Sequence, residues 1–381
     1  MSEAMGESQR GGQAMRGRKS NRSSAEQPWS GSRRGFLRGG GFVVLAAGCA
    51  LAAAPAVLAS WALTAPAAQA AAAPAAKSGA AKAPPFTVAY PGSVSFNHIA
   101  TYVAWDRLNA KGFQISTKQY SNIGLATNAV VSGESPIGWI AAGGAMNAVK
   151  RGSGVQAFFH GQKNVFIVVA RKSINSLREL HGRPFGDNVP GQLLDGLRVA
   201  LERKHAFSPQ LIRINESEQR AQGLLTGRLD AASLQPDDFL GIESRRPGEF
   251  KILVRYSEMF PTVGGTFLWV RSDFAERHPE AMAEITETLI LTYRQAKDDP
   301  TRFLADARKK LPNYSDEMLK AYLRAYVEPG YWDVNGGMSR QLGQDTAAFY
   351  AEFGVVKDPP PVDRWMNVKL VEAALAKLGR R

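Results

Sequence analysis

Two stretches of the chain share one pattern: VVSGESPIGWI at 130–140 and LLTGRLDAASL at 224–234. Each one ends an apolar helical run at a glycine and then continues as a short run of apolar or small residues typical of a buried strand. The two glycines, Gly133 and Gly227, lie 94 positions apart. A similar distance separates the strand beginning at Phe86 from the one beginning near Arg183. The repeated pattern predicts two lobes of similar build.

Outside the repeat, strands alternate with helices. FTVAY at 86–90 is β-prone, PGS at 91–93 breaks it, and apolar residues from Phe96 to Val103 recur at helical spacing. Further strands are predicted at 113–120, 136–140, 155–160, 165–170 and 266–270. This alternation is typical of an α/β fold with mostly parallel sheets that are covered by helices. The chain after residue 270 has helical periodicity throughout.

The first seventy residues have the pattern of an export signal. SRRGFLR at 32–38 places a pair of arginines before a weakly apolar segment at 39–63, as in a twin-arginine signal. The small residues ending at Ala70 suit a signal peptidase, and the Ala/Pro-rich stretch 71–85 is predicted to be a flexible linker. Two alternatives stay open: retention of the segment as a membrane anchor, and a lipid on Cys49.

Composition excludes several classes of protein. The 381 residues include 47 Lys and Arg against 34 Asp and Glu, and a single cysteine. One cysteine excludes a disulfide framework and any metal site built on several thiolates. The basic residues form no dense stripe interleaved with aromatics, so no nucleic-acid partner is predicted.

Four strand-to-helix segments are candidates for a binding site. They are residues 93–96 and 142–144 in the first predicted lobe, and residues 188–192 and 235–238 in the second. In open parallel sheets, ligands bind beyond the carboxyl ends of the strands, where helix N-termini offer free amides. If the lobes face each other, these segments line one cleft.

The order of the segments resembles the nitrate, sulfonate and taurine type of substrate-binding protein of ABC importers, which shares a domain family with binders of thiamin pyrimidine precursors. The resemblance covers residues 86–357 and is carried by VSGESPIG at 131–138, SLRELHGR at 176–183, LTGRLDA at 225–231 and VRSDFAERHPE at 270–280.

The resemblance implies a two-lobed periplasmic-binding-protein fold, type II-like, with mixed, mostly parallel sheets. Residues 86–172 and 262–357 would form lobe 1, residues 173–261 lobe 2, and residues 358–381 a C-terminal extension. Two hinge crossings are expected, near Ala170–Ser173 and near Tyr256–Gly264.

The resemblance also implies a function. A small organic solute would be captured between the lobes in the periplasm and delivered to an inner-membrane ABC permease with its cytoplasmic ATPase, and the twin-arginine translocase would act during export. No catalytic residue, cofactor or metal is implied. Carried over position by position, the ligand contacts would be Ser93, Ser95, Phe96, Gly143, Gly144, Gln162, Asn188, Gly191, Gln192 and Asp237.

The sequence QPDD at 235–238 bears on the kind of ligand. Many relatives have an aromatic residue before Asp-Pro here, whereas this chain has two adjacent carboxylates. We expect one to cap the helix and the other to contact the ligand. A carboxylate suits an amine, amidine or pyrimidine better than a sulfonate or nitrate.

Two other classes of function remain open. One is an enzyme of the same fold acting on a small aromatic or pyrimidine metabolite, for which His160 is the candidate residue. The other is a periplasmic module that senses a ligand for a membrane receptor.

Overall fold

Strands and helices alternate along the chain as the periodicity predicts, in a computed structural model that describes residues 83–381. The predicted signal at 1–70, its cleavage at Ala70 and the lipid on Cys49 lie outside the described residues.

The strands of the described residues fall into two five-stranded sheets. They are β1 (Phe86–Pro91), β2 (Ile115–Tyr120), β3 (Ile137–Ile140), β4 (Val155–Gln162), β5 (Ile167–Arg171), β6 (Pro184–Asp187), β7 (Gln210–Arg213), β8 (Ala231–Leu234), β9 (Phe250–Arg255) and β10 (Thr266–Arg271).

Helices cover both sheets. They are α1 (Ile99–Ala110), α2 (Ile123–Ser132), α3 (Ala142–Lys150), α4 (Leu193–His205), α5 (Ser217–Leu225), α6 (Pro236–Arg245), α7 (Tyr256–Met259), α8 (Ser272–Arg277), α9 (Pro279–Asp298), α10 (Pro300–Arg308), α11 (Asp316–Val327), α12 (Arg340–Glu352), α13 (Val362–Trp365) and α14 (Lys369–Leu378).

The two sheets have equivalent strand orders. The first is β2-β1-β3-β10-β4 and the second is β7-β6-β8-β5-β9. In the first sheet, β10 runs antiparallel to both of its neighbours, and the other four strands share one direction. In the second sheet, β5 is the reversed strand. The predicted internal repeat and the mixed, mostly parallel sheets are therefore confirmed.

The reversed strands are those that follow each passage between the sheets. The chain passes from β4 to β5 at 163–166 and from β9 to β10 at 256–265. The first crossing thus precedes the predicted position near Ala170–Ser173, because residues 167–170 pair with β8 and β9 of the second sheet. The lobe boundary that was predicted at residue 172 is corrected accordingly.

Each lobe ends a helix at the glycine that the repeat singled out. The side chain of Asn122 accepts a hydrogen bond from the backbone N–H of Leu125 and begins α2, which ends at Gly133. Gly133 and Gly227 have φ angles of 90° and 79°, a left-handed conformation that glycine adopts without a steric penalty.

The residues after 358, predicted to be an extension, pack on the first sheet. The ring of Trp365 stacks on that of Trp269 in β10, with centroids 5.8 Å apart. The backbone N–H of Asn367 donates to the carbonyl of Ala157 in β4. Burial of these aromatic rings therefore attaches α13 and α14 to the first lobe. Among the described residues, no helix has the length and apolar character needed to span a bilayer.

The two crossings lie against each other at Gly265. A Cβ atom on Gly265 would stand 2.6 Å from the carbonyl oxygen of Lys163 in the first crossing. The backbone N–H of Gly265 donates to Nε2 of His160, at 3.0 Å. Only a glycine at position 265 therefore permits this approach of the two backbones.

Replacement of Gly265 with alanine should destabilise the fold by about 1–3 kcal/mol, because the added methyl group meets backbone atoms that cannot rotate away. The free energy of unfolding in urea measures the effect. Gly154→Ala is the matched control, since the nearest heavy atom to its Cβ would be 3.7 Å away. Equal losses in the two variants would contradict the close approach.

Candidate functional site

A cavity of about 390 Å³ lies between the two sheets. Its walls come from the segments after β1 and β2 and the end of β3 in the first sheet, and from the segments after β6, β7 and β8 in the second. Its position beyond the carboxyl ends of both sets of strands is the one at which open α/β sheets bind ligands.

Four of the ten predicted contact residues line this cavity. Ser93 and Ser95 come from the segment after β1, Asn188 follows β6, and Asp237 lies in the first turn of α6. The structure thus brings residues from both lobes together around one space. Their contact with a ligand stays a prediction.

An ion network fixes the segment that carries Asn188. Asp187, at the end of β6, is fully buried and accepts a hydrogen bond from Nε of Arg198 at 2.7 Å. Burial raises the pKa of Asp187 to about 6, although Arg198 acts in the opposite direction. Arg213 donates to the backbone carbonyl of Asn188 at 2.6 Å. The loop is therefore held by charged groups beneath the cavity wall.

Phe96 lies behind the cavity wall. It is 1% exposed, stacks on Trp332 with centroids 5.8 Å apart, and contacts the edge of Tyr322 and the ring of Tyr326 in α11. Phe96 therefore supports the first lobe's loop against α11.

The predicted glycine contacts lie where the lobes touch beside the cavity. A Cβ on Gly143 would be 3.3 Å from the carbonyl oxygen of Gly191, so the start of α3 meets the loop before α4. Gly144 faces Thr127 of α2, and Gln192 precedes α4 as its N-cap residue. None of these four predicted residues lines the cavity.

Gln162 lies in a row of buried polar groups under the cavity floor. Its Nε2 donates to Oδ1 of Asn97, and the Asn97 amide lies 3.3 Å from Nε2 of His98. Asn97 and His98 line the cavity, whereas Gln162 does not. Burial lowers the pKa of His98 to about 3, so His98 is neutral at physiological pH. The floor is thus polar but uncharged.

Sequence reasoning missed the segment that contributes most to the second lobe's wall. Residues 215–222, which comprise the end of the loop after β7 and the first part of α5, all line the cavity. The available signal was the run LIRI at 211–214 followed by NESE at 215–218, which is the strand-to-helix pattern of the other candidate segments.

An aromatic wall was also missed. Trp139 at the end of β3, Phe166 in the first crossing, and Tyr314 and Tyr322 at α11 line the cavity. Tyr322 and Tyr326 lie four positions apart on α11, and both are buried. Tyr322 serves the core and the cavity together.

Asp237 makes a hydrogen bond to α11. Its Oδ1 accepts from the hydroxyl of Tyr326 at 2.7 Å, and both side chains are buried. Burial raises the pKa of Asp237, while the hydrogen bond from Tyr326 acts in the opposite direction. Asp237 therefore has a structural partner in addition to its place on the cavity wall.

Asp238 is the neighbouring carboxyl on the same wall. Burial, reinforced by the negative charge of Asp237, raises the pKa of Asp238 to about 8. The Ser217 hydroxyl at the start of α5 hydrogen-bonds to it and lowers that pKa in part. The helix-capping role expected for one of the two carboxylates is not found, because the N-cap residue of α6 is Gln235 and no side chain caps this helix.

Negative groups outnumber positive ones inside the cavity. Glu216, Asp237 and Asp238 face one guanidinium, that of Arg220. Arg220 is 1% exposed and donates to the backbone carbonyls of Ile214, Asn215 and Ser233. At the rim, exposed Glu218 and Arg245 offset each other. Burial also raises the pKa of Glu216.

His160 lies outside the cavity lining. It is 2% exposed, its ring packs at a tilt of 33° against that of Phe267 with centroids 4.5 Å apart, and its Nε2 accepts the hydrogen bond from Gly265. Burial lowers the pKa of His160 to about 4. Its contacts are those of a residue that holds the second crossing in place.

Within residues 83–381, no group of three or more His, Cys, Asp or Glu side chains is arranged to hold a metal ion.

Removal of the Tyr326 hydroxyl should destabilise the protein. Tyr326→Phe leaves the buried Asp237 without its donor, which should cost about 1–3 kcal/mol in the free energy of unfolding. Chemical denaturation measures the loss. Tyr322→Phe, on the same helix, removes a hydroxyl for which no hydrogen bond is found among the described residues, and should change stability less. Equal losses of unfolding free energy in the two variants would show that the hydrogen bond to Asp237 does not stabilise the protein.

The neutral state of His160 predicts a pH-dependent contribution to stability. Its pKa is lower in the folded protein than the ordinary 6.5, so the unfolded chain binds the proton more readily and stability is lost as pH falls below 6.5. The stability advantage of the wild type over His160→Gln should shrink by up to about 1.4 kcal/mol per pH unit.

Urea unfolding of the two proteins at about pH 7.5 and about pH 5 measures this advantage. Because both proteins share every other titrating group, the difference isolates His160. An advantage that stays constant, or grows on acidification, would contradict a neutral buried imidazole.

Comparison with known proteins places the chain in a family. The sequence profile described as NMT1/THI5 like matches residues 95–302, which is more than half of the chain. Comparison with curated proteins gave no match.

Solved structures with the same architecture come from several bacteria. The ligand-binding component of an ABC-type import system from Staphylococcus aureus, solved with zinc bound, has a TM-score of 0.63 at 14% identity, covering 76% of this chain and 98% of that one. A putative periplasmic sulfonate-binding protein from Methylobacillus flagellatus KT has a TM-score of 0.59 at 15% identity, with 78% and 96% covered.

The periplasmic nitrate-binding protein NrtA from Synechocystis PCC 6803 has a TM-score of 0.61 at 10% identity, covering 78% of this chain and 89% of that one. At such identities the likeness establishes the fold. The chain therefore belongs to the NMT1/THI5-like family and has the two-lobed fold of periplasmic binding proteins.

Proposed function

We propose that the protein is the periplasmic solute-binding component of an ABC importer and captures a small organic solute with a cationic or donor-rich nitrogen group. The observation that carries this proposal is a cavity lined by both lobes in which three buried or half-buried carboxyl groups face one guanidinium. The names of the structural relatives support the importer role, since they include a component of an import system and binders of sulfonate and nitrate.

The cavity chemistry favours a cation over the anions that some of these relatives bind. A sulfonate or nitrate needs several donors, and the guanidinium of Arg220 already donates to three backbone carbonyls. The carboxyl of Asp238 offers acceptors for an amine, amidine or protonated heterocycle. Trp139 and Tyr322 add flat surfaces that favour a ring or a cation.

Delivery would require an inner-membrane permease and its ATPase. Export through the twin-arginine translocase, with cleavage after Ala70, is the proposed route to the periplasm and rests on the pair Arg33 and Arg34.

A ligand screen tests the proposal. Native mass spectrometry of freshly purified protein, followed by thermal shift with amidines, aminopyrimidines, diamines, taurine, nitrate and aromatic acids, should give stabilisation by the cationic or donor-rich compounds. Stabilisation by taurine or nitrate alone would contradict the proposed ligand chemistry.

Asp238→Asn should weaken binding of a cationic hit by roughly 10- to 100-fold, the effect of losing a hydrogen bond to a charged group. Asp363→Asn, an exposed carboxylate paired with Arg340, is the matched control and should bind like the wild type. The same samples, incubated with each hit, should return it unchanged. Turnover of a hit would favour the enzyme alternative.

A further inference from the structure

Asp238 is a carboxyl group placed to exchange a proton for a cation. It follows Asp237 directly in the first turn of α6, and both line the cavity. Asp237 is occupied by the hydroxyl of Tyr326. Two adjacent carboxyl groups in a poorly solvated site resist simultaneous ionisation, and the charge of Asp237 favours the protonated form of Asp238.

The charged groups around Asp238 do not neutralise it. From α5, Arg220 attracts it while Glu218 repels it, and the single positive charge of Arg220 also attracts Asp187 and Glu216. On α6 itself, Asp237 repels it and Arg245 is exposed at the rim.

The groups on the remaining walls carry no positive charge. From α11, Tyr322 and Tyr326 are neutral phenols, because burial raises the pKa of each. The same holds for Tyr314. From the first lobe, His98 is neutral, because burial lowers its pKa. The site therefore lacks one cation, and a ligand can supply it.

We propose that capture of a cationic solute displaces a proton from Asp238, so that solute and proton compete for one carboxylate. This inference rests on the proposed function. In the exchange, the O–H bond of Asp238 breaks, the proton passes to the solvent, and the ligand's positive charge takes its place. The net charge of the cavity is unchanged, so no unpaired charge is buried at any stage.

The exchange gives binding a definite pH dependence. Only the ionised carboxylate receives the cation, and the pKa of Asp238 in the empty cavity is about 8. The affinity should therefore be level above pH 8 and fall by about tenfold for each pH unit below it. Near neutral pH, close to one proton should be released for each ligand bound.

Isothermal titration calorimetry tests this with benzamidinium, guanidinium and choline chlorides, which keep their charge from about pH 6 to about pH 9. Titrations at one pH in buffers of different ionisation enthalpy give the number of protons released. We expect release near one for the wild type and near zero for Asp238→Asn, whose weaker binding should not depend on pH.

Asp237→Asn provides the second variant. The amide oxygen can still accept from Tyr326, but the like charge beside Asp238 is gone, so the pH at which affinity begins to fall should move downward. A merely structural role of Asp237 would leave that pH in place.

The outcomes separate this inference from the proposed function. Binding of a cation to the wild type with no proton release, or with proton uptake, overturns the exchange and leaves the binding function standing. A proton release that persists in Asp238→Asn also overturns it. Failure of all three cations to bind, together with stabilisation by taurine or nitrate, overturns both the exchange and the proposed ligand chemistry.

Discussion

The connection of the two sheets through their carboxyl edges constrains the rest of the structure. The strand β4 ends at that edge of the first sheet, and the chain crosses directly to the same edge of the second, where β5 begins opposite the end of β8. The return from β9 to β10 joins the same two edges. Because β5 and β10 enter from the edge, they must run against their neighbours. The strand-to-helix loops of both lobes consequently face each other, and the cavity follows from topology before any side chain is considered.

Side chains then give the two walls different characters. The first lobe contributes serines, a neutral imidazole and Trp139, whereas the second contributes the carboxyl groups and Arg220. The hydrogen bond from Tyr326 to Asp237 joins these halves through α11, since α11 also packs on Phe96 of the first lobe. Helix α11 therefore belongs to the support of both walls, and a change in its packing reaches the acidic wall directly.

The sequence was sufficient to predict the internal repeat but not the contacts between the two lobes. Glycines 133 and 227 marked equivalent helix ends because only their backbone conformation mattered, which is a local property. The segment at 215–222 was missed because β7 has only four residues and none is fully buried, so its apolar pattern is weak.

The sequence could not show which of the two adjacent carboxyl groups bonds to Tyr326, for a different reason. The partner of Asp237 lies 89 positions away on α11. The contact of Gly143 with Gly191 likewise depends on how the lobes meet, and no local pattern reports it. Local propensity identified the loops, and tertiary packing decided which of their residues line the cavity.

The acidic wall on the second lobe and the polar, aromatic wall on the first lobe would contribute differently to ligand affinity and to closure of the lobes. A ligand shifts the balance between open and closed lobes only through contacts that differ between the two states, and an almost complete shift needs about 5.5 kcal/mol of difference. The carboxyl of Asp238 and its neighbours stand on one lobe, so a cation can meet them whether or not the lobes are closed. Contacts with Ser95 and Trp139 require the first lobe to be in place. Under the proposed function, the acidic wall would set how tightly a solute is first held, and the polar and aromatic wall opposite would determine how firmly the lobes close on it.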